Sequence, residues 1–424
     1  MAQSVSALHQ LHQLHQLHRP SGAATPGGGR RHGIGFALIA FAFLTAMAFS
    51  TVPTPLYPLY MAEDGFSTFM VTVVFATYAV GVIISLVLAG HLSDQFGRKK
   101  LLLPAIGLEL VAAVLFLTST SLPVLLVARL VTGLGVGMVT ATATAHLHDL
   151  HTAHRPGASA QRFELVSTAA NIGGLGVGPL VAGVLAQWVT GPLRTPYLVF
   201  AALLLASAVA VALTPETVEK PRTRPAYRPQ RISVDHGDRA GFSAAAAAGF
   251  ASFAVFGLFT SVAPGFVAGS LHHPSRALAG LIVFVVFGAA ATAQSLTARL
   301  STAAKRTLGL VAQLVGVVTL VAGMRTGDLT AFLVGGVVAG IGAGVLFKAS
   351  VGTVAALAAP AQRSEALAGL FLISYLGLTL PAVGIGVATR SFSAVTVMTW
   401  FAAALLVLLA TVAALARRRP ADAD

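Results

Sequence analysis

Gly90-His91-Leu92-Ser93-Asp94-Gln95-Phe96-Gly97-Arg98-Lys99-Lys100 lies between two long apolar runs, and its reading decides what kind of chain this is. The two glycines let the backbone leave one helix and enter the next within a short turn, because each tolerates angles closed to other side chains. Asp94 puts a fixed negative charge in that turn, where it can face the positive end of a helix starting on the same side. Arg98, Lys99 and Lys100 form a basic run suited to lipid phosphates or nearby carboxylates. Breaking the contacts of such a charged turn would free the ends of the neighbouring helices to move.

Composition sets the surroundings of that turn. Of 424 residues, 56% are hydrophobic and 10% charged, with a mean hydropathy of +0.82, which excludes a soluble domain hiding its apolar residues in one core. The net charge of +13 is spread over short loops, so lipid headgroups are the expected partner and nucleic acid is not. Cysteine is absent, which removes disulfides, thiol catalysis and cysteine-ligated metal. No nucleotide-binding loop, metalloprotease motif or paired catalytic carboxylates occur, so neither an enzyme nor a cofactor is expected. Rich Ala, Gly, Val, Leu and Arg usage suits a GC-rich bacterium, and hence its plasma (inner) membrane.

Apolar runs long enough to span a bilayer fall at 34–57, 69–92, 101–118, 123–145, 164–188 and 197–213, then at 242–267, 277–298, 308–324, 332–357, 365–389 and 394–416. The expected fold is therefore an all-α polytopic membrane protein of twelve transmembrane helices in two six-helix bundles, 34–214 and 241–416. The tail 1–33, a Pro- and Arg-rich linker 215–240 and the tail 417–424 lie outside them. The N-terminal tail, even-numbered loops and C-terminal tail hold 21 Lys and Arg against 4 in the odd-numbered loops, which puts both termini on the cytoplasmic side. Span 1 lacks a cleavage-site pattern and reads as a retained anchor.

The opening stretch fits G-x-L-x-D-x-x-G-R-K and resembles the loop signature of the major facilitator superfamily, with Gly90, Asp94, Gly97, Arg98 and Lys99 in its gating positions. The counterpart between spans 8 and 9 keeps only Arg299, Lys305 and Arg306, a basic relic. In span 4, Arg129 followed by Gly133, Gly135 and Gly137 is similar to the R-x-x-x-G-x-G pattern implicated in proton coupling in that family. In span 5, Gly174, Gly178, Pro179 and Gly183 resemble the G-x-x-x-G-P-x-x-G-G signature of its twelve-helix drug and metabolite antiporter branch, with Ala182 replacing one glycine. The resemblance implies a secondary active transporter exporting a small amphipathic molecule against protons, probing both membrane sides in turn and working as a monomer. Proton-coupled uptake of a small organic acid or sugar is the alternative, and a non-transporting membrane sensor the second.

Residue by residue, an ionisable group inside a span is a functional candidate. Glu109 in span 3 is the only carboxylate well inside the apolar layer, hence a candidate proton carrier along with Arg129, or equally a neutral acid bonded to a neighbouring helix. Lys348 in span 10 would attract an anionic substrate or snorkel to the surface. Asn171, Phe253, Phe256, Gln294 and Tyr375 are candidates for a substrate cavity, and Thr51, Pro53, Thr54 and Pro58 should break the end of span 1. His9, His12, His15 and His18 read as low-complexity drift, and His146, His148, His151 and His154 lack a framework that would fix a metal geometry, so no metal site is expected.

Overall fold

The computed structural model describes residues 26–89, 92–218, 238–359 and 362–417, without the side chains of residues 26–28, 94, 416 and 417. Gly90, the Asp94 side chain, the first histidine cluster and most of the linker therefore lie outside the described residues. Among the described residues, twelve helices are long and apolar enough to cross a membrane: α1 Gly29–Glu63, α2 Thr68–Ala89, α3 Arg98–Thr118, α4 Leu122–His154, α5 Gln161–Trp188, α6 Thr195–Leu213, α7 Arg239–Ser261, α8 Arg276–Leu296, α9 Thr302–Thr326, α10 Leu329–Leu357, α11 Arg363–Ala388 and α12 Ala394–Leu415. No strand occurs among the described residues. Every expected span is present, and α4 and α9 outrun their apolar runs. α4 continues to His154 because Leu147, Leu150, His146 and His151 bury one side of its extension. α9 begins at Thr302 because the Ser301 hydroxyl accepts the Ala304 N–H as an N-cap. As expected, α1 breaks after Thr51 at Pro53, then resumes through a single tight turn, Thr54–Leu56.

The two halves repeat one packing scheme. In the first, α1 packs on α4, α5 and α6, while α4 packs on α2 and α3 and α3 on α6; in the second, α7 packs on α10, α11 and α12, while α10 packs on α8 and α9 and α9 on α12. The halves meet along two equivalent pairings, α5 with α8 and α2 with α11. Small residues make these approaches possible. A side chain at Gly280 of α8 would run into the Pro179 carbonyl of α5, one at Gly183 into the Arg276 carbonyl, and one at Gly386 of α11 into Thr72 and Phe69 of α2. All these positions lie where α5 and α11 end and α2 and α8 begin, so both seams are on one side of the molecule. Arg276 strengthens the first seam, its backbone N–H donating to Gln187 Oε1 at 2.9 Å and its guanidinium to the Ala186 carbonyl at 2.8 Å. The opposite side carries the basic loops and is called the basic face below.

Candidate functional site

Between the halves lies a cavity of about 120 Å³. From the first half it is walled by Met47, Thr51 and Thr54 of α1, Phe75 and Tyr78 of α2, Arg129 and Thr140 of α4, and Asn171, Ile172 and Leu175 of α5. From the second half come Phe253, Phe256 and Thr260 of α7, Phe287 of α8, Phe347 of α10, and Phe371, Tyr375 and Leu378 of α11. Local chain irregularities aim some of these groups. Asn171 stands in a wide helical turn, Ala169–Gly173, that interrupts α5, and such turns re-aim side chains. The Phe253 ring meets Phe347 at 4.8 Å and Tyr375 at 5.4 Å, while Phe256 meets Phe287 at 4.7 Å, so the second half supplies a continuous aromatic lining.

Among the described residues, Arg129 is the only formally charged one on that wall. It is 2% exposed, which excludes a snorkelling role in this conformation. Its Nη1 donates to the Ser50 carbonyl at 2.6 Å, its guanidinium carbon lies 4.4 Å from the centre of the Tyr78 ring, and its Nε has no hydrogen-bond partner. Glu109 sits one helix behind, off the cavity wall, and is 0% exposed with neither carboxylate oxygen hydrogen-bonded. It packs against Gly135 of α4, where a β-carbon would reach within 2.8 Å of Oε1.

Of the cavity candidates named from sequence, Asn171, Phe253, Phe256 and Tyr375 line the wall; Gln294 and Lys348 do not. The Gln294 amide instead donates to the Gly344 carbonyl at 2.9 Å, tying α8 to α10. Lys348 lies nearer the basic face, where its Nζ donates to the Gln294 carbonyl at 3.2 Å and stands 3.6 Å from Glu164 Oε2 of α5, an ion pair across the two halves. The glycine–proline motif of α5 forms one side of this machinery. Gly174 and Gly178 press on α1 at Met47 and Ala48, while Pro179 and Gly183 form the seam with α8.

The loop that opened the sequence reading is tied to its own half. Gly97 takes φ +104°, a conformation glycine adopts without strain. The Arg98 Nε donates to Asp149 Oδ2 at 3.0 Å and its Nη1 to Ser93 Oγ at 2.7 Å. The backbone N–H groups of Arg98 and Lys99 donate to Glu216 Oε1 and Oε2 at 2.9 and 3.1 Å, so a carboxylate from beyond α6 caps the start of α3. Burial pushes the Glu216 carboxyl up, but the N–H groups of Arg98, Val218, Lys99 and Thr217 outweigh it and hold it below the ordinary glutamate range. Asp149 and Glu216 escaped sequence reasoning. The signal was their rarity: in a chain with 14 acidic residues against 27 basic, each acid merits a partner search. In the second histidine cluster, His146, His151 and His154 each bond a different backbone carbonyl, of Pro215, Ser159 and Gly29.

Among the described residues, twelve candidate spans in two matching halves enclose an aromatic-lined cavity, the architecture of a multi-pass membrane protein. The family model of the Major Facilitator Superfamily matches residues 39–246. Two relatives from Bacillus subtilis are the bacillibactin exporter, 30% identical over 139 residues (32% of this chain, 34% of the exporter), and the arabinose-proton symporter, 36% identical over 72 residues (17% of this chain, 16% of the symporter). The matches thus span 34% and 16% of those relatives' lengths. In fold, the chain superposes with a TM-score of 0.68 and 16% identity on a bacterial homologue of the human lysosomal transporter Spinster, solved inward-facing and unoccupied, covering 93% of this chain and 97% of that one.

Proposed function

We propose that this protein moves a small amphipathic molecule across the membrane by alternating access, coupled to protons and in the direction of export. The observation that carries the reading is the shared cavity: both halves wall it, glycine seams close one side of it, and the Glu164–Lys348 pair crosses the other. Rocking the halves about those seams would exchange which side is open. In this reading Glu109 carries the proton and Arg129 responds to its charge across one layer of helix packing. Export rests on the α5 motif, Gly174, Gly178, Pro179 and Gly183, and the likeness to an exporter agrees with it. The protein would work as a monomer in a bacterial plasma membrane, with both termini and the basic face in the cytoplasm. Asp94, by its place in the loop motif, would touch the start of α11 near Ser364 and Glu365.

A second reading, uptake of a small organic acid together with a proton, is supported by Arg129 being, among the described residues, the only formal charge on the wall. An anion on Arg129 and a proton on Glu109 would balance each other's charge. Everted and right-side-out vesicles carrying a pH-sensitive dye separate the two directions. Under the export reading, adding an amphipathic compound from a screening panel drives proton movement in energised everted vesicles, and Glu109→Gln vesicles show none. Compound-driven proton movement confined to right-side-out vesicles would hand the choice to uptake, and none in either would overturn both.

A further inference from the structure

The wall of the central cavity is selective in its chemistry. Most of it is hydrocarbon and aromatic ring, and three of its hydroxyl groups are already spent on their own helices. Thr51 donates to the Ala48 carbonyl at 3.1 Å, Thr140 to Val136 at 2.8 Å and Thr260 to Phe256 at 2.7 Å. A sugar, which needs many polar partners at once, would meet few groups free to serve it. No Asp or Glu among the described residues stands on the wall to receive a cation, and Arg129 would repel one. Among the fully buried polar atoms of the wall, the Arg129 Nε is left without a hydrogen-bond partner, an N–H inside a residue 2% exposed. A guanidinium with one donor engaged and another unpaired is a fork prepared for a carboxylate, which it binds through parallel charge-assisted hydrogen bonds.

Size narrows the class further. A buried apolar cavity of about 150 Å³ holds a single benzene ring, and this one measures about 120 Å³. Phe253, Phe256, Phe347 and Tyr375 stand at ring separations of 4.8 to 6.1 Å, a spacing at which aromatic edges and faces attract one another. We infer that the cavity takes a one-ring aromatic monoanion, its carboxylate on Arg129 and its ring among Phe253, Phe256, Phe347 and Tyr375. The inference rests on this cavity being the substrate site, as proposed above, and holds for either direction of transport, since an inside-negative membrane itself drives a monoanion outward.

Calorimetric titration of the full-length protein in lipid nanodiscs with benzoate, benzamide, benzylamine and cyclohexanecarboxylate tests the assignment. Benzoate should bind at least about tenfold more tightly than benzamide or benzylamine, and more tightly than cyclohexanecarboxylate. Arg129→Gln should erase the preference of benzoate over benzamide while leaving benzamide binding in place, which also shows that the variant is folded. If that variant does not fold, Arg129→Lys, which keeps the charge without the fork, should lose affinity for benzoate severalfold. Benzylamine binding as well as benzoate, or no binding by any of the four, overturns the inference. Proteoliposomes separate this from the transport reading: movement of an unrelated cationic dye without benzoate binding sinks only the substrate class, whereas tight benzoate binding with no flux of benzoate sinks the transport reading.

Discussion

The two halves of the molecule use the same register for opposite chemistry. Glu109 stands eleven residues after the start of α3, and Gln313 eleven residues after the start of α9; both are 0% exposed. Each faces a glycine thirteen residues into the following helix, Gly135 of α4 and Gly342 of α10. Seven residues into those same helices stand Arg129 in the first half and Gly336 in the second. The first half thus holds a buried acid and a buried base where the second holds an amide and a glycine. Gln313 donates to the Ala251 carbonyl of α7 at 2.8 Å, a neutral tie between helices. The scaffold tolerates either choice, so the charged pair is not there for packing. On the proposed mechanism this contrast puts the proton chemistry in the first half, while the second half supplies the continuous aromatic lining.

Making the halves alike should produce the largest effect. Glu109→Gln copies the second half's solution into the first and, on the proposed mechanism, should abolish compound-driven proton movement while the protein inserts and melts normally; unchanged proton movement would remove Glu109 from the mechanism. The reciprocal change, Gln313→Glu, puts a second carboxyl where no arginine stands nearby in register. It should lower thermal stability by about 1–3 kcal/mol through an unpaired buried polar group, without adding a second coupled proton. Gln313→Leu should cost less, about 1 kcal/mol for the lost bond to Ala251, and leave transport intact. Thermal unfolding followed by tryptophan fluorescence, with dye assays in vesicles, reads all three variants.

How far this contrast was legible in the sequence depends on what each feature needs. Span number, the break in α1 and the placement of Asn171, Phe253, Phe256 and Tyr375 on one wall follow from hydropathy, proline and the family resemblance, all local or shared properties. Glu109 is visible as an acid in an apolar run, yet its kinship with Gln313 requires helix starts accurate to one residue. The expected start at 308 for the ninth span hides that register, since α9 begins at Thr302 through its Ser301 cap. Lys348 shows the other difficulty. Its partner Glu164 is 184 residues away at the start of α5, and no spacing rule links them. Pairings between distant segments are decided by packing, which one sequence does not display.

The halves also differ at the basic face. Lys348 and Glu164 join them, with Glu164 half exposed, so this pair should contribute no more than about 1 kcal/mol to stability. Its effect should appear in conformation instead. The chain has no cysteine, so the double variant Glu164→Cys, Lys348→Cys can be cross-linked cleanly. On the rocking mechanism, a short cross-linker there should trap the basic face and stop transport, with recovery on reduction; full transport with the link in place would show that this face does not open. Lys348→Met alone should leave melting nearly unchanged and shift the balance toward an open basic face, read as faster modification of a cysteine placed at Thr140 on the cavity wall.

The smallest expected effect lies in the loops that answer each other between α2 and α3 and between α8 and α9. The latter is capped by Ser301 from within its own sequence, whereas the former borrows Glu216 from beyond α6. Glu216→Gln keeps the shape and weakens charge-assisted acceptance from the Arg98 and Lys99 N–H groups. Because this carboxyl is partly exposed and screened, the loss should be modest, about 0.5–1 kcal/mol. Its pH dependence identifies the cause. A carboxyl held below its ordinary value of 4.5 contributes stability that is present above that value and is lost as pH falls through its lower folded value. The melting curves of the unsubstituted protein and Glu216→Gln should therefore differ near neutral pH and converge on acidification. Ser301→Ala in the opposite loop should weaken its cap by a similar amount, but with no convergence at low pH, because a hydroxyl cap does not titrate. A gap between Glu216→Gln and the unsubstituted protein that persists unchanged well below pH 4.5 would show that the Glu216 side chain acts through its packing, not its charge.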